Sequence, residues 1–122
     1  MSAHWTNAVD VNMNDVMGQP MIFSWLRELT PENLRVLIAG GLDINAMAVG
    51  SPLVLESAMG DRWDLVSVLI EHGVDVLKRD RDGRTVIDDV HRRCAEAERD
   101  GRLLDPQIVQ VQEQLAALLK PR

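Results

Sequence analysis

The chain has 122 residues, of which 46% are hydrophobic and 26% are charged, and this mixture argues against disorder and predicts one compact domain. No window approaches the roughly 18 apolar residues that a membrane span requires. The N-terminal residues do not resemble a secretory signal, so we expect a cytoplasmic protein without a membrane partner. The formal net charge of −6 opposes contact with a phosphate backbone, which predicts no nucleic-acid ligand.

The sequence matches itself when it is shifted by 32 residues. The identical pairs are Pro20 with Pro52, Leu37 with Leu69, Ile38 with Ile70, Gly41 with Gly73 and Asp43 with Asp75. A looser third copy begins at Asp80, where Thr85 falls 34 residues after Ser51, and residues 9–12 echo residues 42–45. A period of about 20 to 50 residues is typical of repeat proteins, in which each copy is one unit of a stack.

Each copy is predicted to open with a short helix. Proline at positions 20 and 52 is compatible with the first turn of a helix, where a missing N–H does no harm. Ser51 and Thr85 are expected to cap the free N–H groups of that turn with their side-chain oxygens.

A second helix is predicted to follow in each full copy. Thr30 is a candidate N-cap, and Asp61 with Asp64 three positions later resembles a capping box. The apolar residues that follow recur with the helical period of 3.6. Gly41 and Gly73 stand just past these helices, where a left-handed backbone conformation is usually needed.

The C-terminal part predicts a longer helix and a terminal cap. An apolar face begins at Ile87 and continues to about Asp100, Gly101 ends it, and Asp105 starts a last helix. The apolar stripe of that helix is Ile108, Val111, Leu115, Leu118 and Leu119. Its other side is rich in glutamine, as suits a terminal unit that meets water. The N-terminal residues expected to fold over the first helix pair are Trp5, Val9, Val11 and Met13.

Three segments resemble the ankyrin repeat: residues 51–54 (Ser-Pro-Leu-Val), 69–76 (Leu-Ile-Glu-His-Gly-Val-Asp-Val) and 80–88 (Asp-Arg-Asp-Gly-Arg-Thr-Val-Ile-Asp). The resemblance implies an all-α fold, an ankyrin-type helix-turn-helix solenoid of about three repeats with short finger loops and a helical C-terminal cap. It divides the chain into an N-terminal capping segment at 1–16, repeat 1 at 17–48, repeat 2 at 49–80 and an enlarged C-terminal capping repeat at 81–122. Val54 departs from the family pattern, which has a loop-bonding histidine there.

The sequence offers little support for catalytic chemistry. The histidines are scattered and lack the spacing of a helical metal site. Asp88 and Asp89 are adjacent on a helix and point about 100° apart, which argues against shared acid/base work, and Asp88 is expected to belong to a helix cap. Cys94 lies on an apolar stripe, as an inert core thiol does. We therefore expect no enzyme activity, no cofactor and no metal.

The resemblance implies that a protein partner meets the finger loops and the ends of the first helices. The loop positions are Asp15, Val16 and Met17, then Met47, Ala48 and Val49, then Arg81, Asp82 and Arg84. The helix-end positions are Leu26, Arg27, Ala58, Met59, Arg92 and Arg93.

Two alternatives stay open at these positions. The uncharged middle loop either contacts the partner or tucks against its own repeat. The arginines either orient an anionic partner or are neutralised by neighbouring aspartates. Trp25 and Trp63 are expected to be partly buried, with an interface anchor as the alternative.

The sequence thus predicts a non-catalytic protein-interaction module, either monomeric or a weak homodimer. Small bacterial proteins that resemble ankyrin repeats include immunity or antitoxin partners of toxins, and the size of this chain suits that role. The alternative is a structural accessory subunit or oligomeric scaffold that stabilises an enzyme.

Overall fold

The computed structural model describes residues 11–120, and this part of the chain is mostly helical, as predicted. Its elements in chain order are α1 (Ile22–Trp25), α2 (Pro31–Ala39), β1 (Met47–Ala48), β2 (Ser51–Pro52), α3 (Leu53–Met59), α4 (Trp63–Glu71), α5 (Val86–Arg99) and α6 (Pro106–Leu119). Within the described residues, no helix is long and apolar enough to cross a bilayer. The predicted packing of Trp5 and Val9 lies outside the described residues.

Helix α4 forms the centre of the core. It packs against α2, α3 and α6, and its apolar residues from Trp63 to Ile70 are all buried. Leu34 and Leu37 of α2 and Val111 of α6 belong to the same hydrophobic cluster. The predicted core, at the contact between the second helices, is therefore confirmed.

Threonine caps begin two helices, as predicted. The Thr30 hydroxyl accepts the N–H of Asn33 at the start of α2. Thr85 and Asp88 form a reciprocal capping box at the start of α5, which confirms the predicted role of Asp88. Each cap satisfies N–H groups that have no partner inside the helix.

The other two predicted caps are wrong. The N-cap of α4 is Arg62, and Asp61 instead adopts φ = 62° and accepts the indole N–H of Trp63 at 2.9 Å. Ser51 donates its hydroxyl proton to Glu56 at 2.9 Å, and Pro52 takes the N-cap position of α3. In both places the side chain bonds another side chain close in sequence, Trp63 or Glu56, instead of the N–H groups of the helix.

The helix ends follow the glycine pattern. Gly41 and Gly73 have φ values of +99° and +84°, as predicted for the left-handed residue after a helix. Gly101 follows α5 with φ = +67° and turns the chain away from the helix. Asp105 then caps α6 by accepting the N–H of Gln107.

Two predictions of burial need correction. Leu118 and Leu119 are 52% and 47% exposed, so the apolar stripe of α6 is buried only as far as Leu115. The reason is length, because α6 has fourteen residues and α4, on which it packs, has nine. Trp63 is completely buried rather than partly buried, whereas Trp25 is partly buried as expected.

Candidate interaction surface

Three short loops have the same hairpin-like closure. We call them loop 1 (residues 14–20), loop 2 (residues 47–52) and loop 3 (residues 80–84). Asp15 N donates to Gln19 O at 2.7 Å in loop 1, and Asp80 N donates to Arg84 O at 2.9 Å in loop 3. Loop 2 is closed by the pairing of β1 with β2. The predicted finger positions therefore lie on three comparable turns.

Loops 1 and 3 each contain one aspartate whose carboxylate accepts backbone N–H groups of the same loop. The Asp15 carboxylate accepts the N–H groups of Met17 and Gln19, at 2.8 and 3.0 Å. The Asp80 carboxylate accepts those of Asp82 and Arg84, both at 2.9 Å. The N–H of Arg84 holds the pKa of Asp80 below its ordinary value, since the bond favours the charged form. Asp15 is therefore engaged within its own loop, where it stabilises the turn.

Loop 2 turns through two residues with positive φ. Val49 has φ = 49° and Gly50 has φ = 74°, the pattern of the tight turns that suit hairpins. Ala46 is buried, Met47 and Ala48 are half-buried, and Val49 is 67% exposed. The loop thus tucks partly against its own repeat and leaves Val49 at its tip. Val49 is β-branched, and a β-branched residue with positive φ is a conformational outlier.

Hydrogen bonds tie the three loops into one row. Val49 N donates to Gln19 Oε1 at 3.0 Å, which joins loop 2 to loop 1. Arg81 joins loop 3 to loop 2, because its N–H reaches Gly50 O at 3.0 Å and its guanidinium reaches Val49 O at 2.6 Å. The sequence predicts Arg81 as a partner contact, but in the structure its guanidinium holds loop 2.

A second row of bonds links successive copies behind the loops. Asn12 Oδ1 accepts Asp43 N at 2.7 Å, and Asn45 Oδ1 accepts Asp75 N at 2.9 Å. The two asparagines stand at equivalent positions of the echo between residues 9–12 and residues 42–45. These contacts connect neighbouring copies. The loop-bonding histidine of the ankyrin pattern is replaced by Val54, which is buried in α3.

The predicted helix-end residues divide into exposed and buried ones. Arg27 is exposed and Leu26 is half-buried, while Met59 is 53% exposed. Ala58 is completely buried, so its prediction as a contact is wrong. The physical reason is that α3 is covered on several sides, by α4, α5 and β2.

Two exposed arginines of the third copy, Arg84 and Arg92, are paired with carboxylates. Arg84 lies 3.2 Å from Asp82 and 3.6 Å from Asp80. Arg92 bonds Asp89 and Glu96, and the bond to Asp89 raises the pKa of Arg92 above its ordinary value. The interpretation as a network of neutralising pairs is therefore favoured over an anion site.

Arg93 has a different environment. Its guanidinium bonds Asp61 at 2.8 Å and lies 5.8 Å from the ring centroid of Trp63. This distance is within the range of a cation–π contact. Arg93 thus covers the buried indole and is only partly available to a partner.

Depressions run between the first helices of successive copies. Two adjoining ones, of about 470 and 400 Å³, share Phe23 of α1 and Glu56 of α3. A smaller one of about 130 Å³ lies between α3 and α5 and is lined by Leu55 and Asp89. We did not single out these lining residues from the sequence for partner contact. The alignment of Phe23 with Leu55 under the 32-residue shift was the pattern that could have indicated them.

Among residues 11–120, no group of three or more His, Cys, Asp or Glu side chains is placed to hold a metal ion. Comparison of the sequence with protein-family models gives no match, and comparison with curated proteins gives none either.

Proposed function

We propose that this chain is an ankyrin-type solenoid of about three repeats and a non-catalytic protein-interaction module. Three features support the repeat. Equivalent helices of successive copies contact each other, α2 with α4 and α3 with α5. Equivalent glycines, Gly41 and Gly73, end the second helices. Equivalent asparagines bond the next copy. In a stack of this kind, loops can vary without disturbing the core.

One observation carries the proposed binding role: loops 1 and 2, which belong to the bonded row, expose apolar side chains at their tips. Val16 is fully exposed, and Met17 and Val49 are 79% and 67% exposed. Apolar tips beside depressions that contain Phe23 offer a partner both anchors and pockets, which are the usual parts of a protein interface. Val49 also holds a strained conformation, as residues at binding surfaces often do.

The test needs a partner captured from the organism that encodes the chain, followed by calorimetric binding measurements. Val49→Asp combined with Met17→Asp is expected to weaken binding by at least about fivefold, or about 1 kcal/mol. The fold should survive, because aspartate adopts positive φ more readily than valine. Leu103→Asp is the matched control, since Leu103 is 98% exposed but lies outside the loops and first helices. Equal affinity of both variants would contradict the proposed surface.

A second role, as an accessory subunit or oligomeric scaffold, is favoured by a different surface. The half-exposed Leu118 and Leu119 end α6 beside a groove of about 180 Å³ lined by Ile87, Val90 and Leu115. The two roles are distinguished by measuring the activity of the captured partner with and without this chain. An immunity or antitoxin partner would inactivate a toxin through the loops, whereas an accessory subunit would preserve enzyme activity and depend on Leu118.

A further inference from the structure

A groove runs between the first two copies, from loops 1 and 2 to the C-terminal ends of α1 and α3. It consists of the two adjoining depressions of about 470 and 400 Å³, which share Phe23 and Glu56. We call it the α1–α3 groove, with the larger depression as its loop end and the smaller one as its helix end. The two ends have different chemistry, which indicates what the groove can receive.

The helix end of the α1–α3 groove is mainly apolar. Leu26 and the shared Phe23, both half-buried, line it together with two arginines. Arg62 is already engaged by Asp64 and by two backbone carbonyls. Arg27 is exposed and forms no ion pair with the described residues. This end therefore favours an apolar side chain of a partner and repels a basic one.

The loop end of the α1–α3 groove has the opposite charge. Asp15 and Glu56 line it, and none of the described residues that line it is basic. Arg81, which bonds Val49 O from loop 3, is not among them. Within the described part of the chain, neither carboxylate forms an ion pair. The loop end thus carries two negative charges without a cation of its own.

Each of these carboxylates keeps one accessible oxygen. The two bonds that Asp15 accepts from its own loop both go to Oδ1, and Glu56 accepts the Ser51 hydroxyl at Oε2. Oδ2 of Asp15 and Oε1 of Glu56 accept no bond from the described residues, and neither of these oxygens is buried. Solvent reaches both oxygens, and a donor group of a partner can reach them as well.

Loop 3 shows how a turn of this kind is neutralised within the chain. Its Asp80 accepts the same pattern of backbone bonds as Asp15, and Arg84, four positions later, lies 3.6 Å from the Asp80 carboxylate. The residue four positions after Asp15 is Gln19, which is uncharged and accepts the N–H of Val49. Loop 1 therefore lacks the cation that loop 3 contains, and a basic group of a partner can take that place.

We propose that the α1–α3 groove receives a segment of the protein partner in which a basic side chain neighbours a large apolar one. The basic group lies at the loop end beside Asp15 and Glu56, and the apolar side chain lies at the helix end against Phe23 and Leu26. The net charge of −6 attracts such a segment over a longer distance. This inference rests on the proposed interaction function and names the chemistry of the partner segment.

The experiment is an amide NMR titration of the full chain with the blocked tripeptide acetyl-Leu-Arg-Leu-amide. Leucine stands on both sides of the arginine, so either direction of the peptide brings an apolar side chain to the helix end. Saturable shifts are expected in residues 15–26 and 48–60. The comparison peptides replace arginine by citrulline, which keeps the size and removes the charge, or replace both leucines by glycine. Each of them is expected to bind at least about fivefold more weakly.

Two substitutions remove the charges of the loop end and preserve its internal bonds. Asp15→Asn keeps a side-chain oxygen that can accept the N–H groups of loop 1, and Glu56→Gln keeps an oxygen for the Ser51 hydroxyl. The double variant is expected to bind acetyl-Leu-Arg-Leu-amide at least about fivefold more weakly than the natural chain does. Its affinity for the citrulline peptide should stay unchanged, because that peptide has no charge to lose a partner.

The matched control is Asp43→Asn combined with Glu113→Gln. It removes the same total charge, and Asp43 accepts an N–H two residues away, as Asp15 does in loop 1. Both residues are exposed, and neither lines the α1–α3 groove. The control should bind the arginine peptide like the natural chain, and a thermal melt checks that both double variants are folded.

Several results would overturn the proposal. These are equal binding of the citrulline or glycine peptides, equal losses of affinity in the two double variants, and the absence of saturable shifts with the arginine peptide at millimolar concentration. Saturable shifts confined to residues outside the α1–α3 groove would overturn it as well.

The captured partner distinguishes failure of this inference from failure of the interaction module. If the double variant at Val49 and Met17 weakens partner binding and the double variant at Asp15 and Glu56 does not, the module stands and the proposed chemistry of the groove is wrong. If the variant at Asp15 and Glu56 loses the arginine peptide while the variant at Val49 and Met17 binds the partner normally, the groove stands and the surface at the loop tips is wrong.

Discussion

Arg62 joins parts of the chain that are far apart in sequence. Its guanidinium donates to Leu26 O at 2.7 Å and to Leu29 O at 2.5 Å, and it also bonds the Asp64 carboxylate at 3.1 Å. The two carbonyls lie in the turn between α1 and α2, where the chain offers few backbone partners. One side chain thus fixes that turn to the start of α4.

Replacing this arginine should therefore destabilise the protein more than replacing an ordinary surface arginine. Arg62→Ala is expected to lower the free energy of unfolding by about 1.5 to 3 kcal/mol, because two carbonyls and a carboxylate lose a charged donor. Urea unfolding measures the change. Arg99→Ala is the control, since Arg99 makes one exposed pair at 3.7 Å and should cost less than about 0.5 kcal/mol. Similar losses for both variants would show that the Arg62 contacts are not formed in solution.

Local sequence patterns predicted those helix ends that depend only on neighbouring residues. Thr30, Thr85 and Gly73 behave as expected, because a cap or a left-handed glycine involves residues at most a few positions away. Asp61 does not, because the burial of Trp63 and the long reach of Arg62 determine the start of α4. The bond from Arg62 to Leu29 spans 33 residues and leaves no local pattern, whereas the bond from Trp63 to Asp61 competes with the cap from two residues away.

The same limit applies to the candidate surface. The repeat placed loops 1 to 3 correctly, but it could not indicate that Arg81 is bonded to loop 2 or that Ala58 is buried, since both follow from packing between copies. Nor could it indicate the accessible oxygens of Asp15 and Glu56, which depend on how these two side chains bond. The sequence pattern indicates where a loop lies along the chain. Three-dimensional contacts determine whether its side chains are exposed and what they bond.

Helix α4 offers a direct test of where the core lies. Leu69 is completely buried in the cluster that includes residues of α2 and α6. Leu69→Ala is expected to lower the free energy of unfolding by about 2 to 5 kcal/mol, through lost burial and the cavity left behind. Leu103→Ala should change it by less than about 0.5 kcal/mol, because Leu103 is 98% exposed. Chemical unfolding of both variants measures the difference, and a small loss at Leu69 would mean that α4 is not central.

For the whole molecule, stability depends on each unit covering the next. Helix α4 is covered by α2 and by α6, so removing either uncovers apolar side chains that cannot be solvated without cost. In the proposed stack of repeats, the terminal units close the core at both ends. Because α6 is the last element of the described chain, a deletion can remove it and leave the sequence of all the other elements unchanged.

Deleting residues 105–122 is therefore expected to abolish cooperative folding. The deletion removes Ile108, Val111 and Leu115, which belong to the common core, and exposes the buried residues of α4 to water. Circular dichroism during heating and sedimentation velocity measure the outcome, which should be a weakly structured or aggregated chain. A shorter deletion of residues 118–122 is the control, because Leu118 and Leu119 are about half exposed and their loss should leave the melt nearly unchanged. If the longer deletion still gives a soluble monomer with a cooperative melt, α6 is an appendage, and the core must close on α2, α3, α4 and α5 alone.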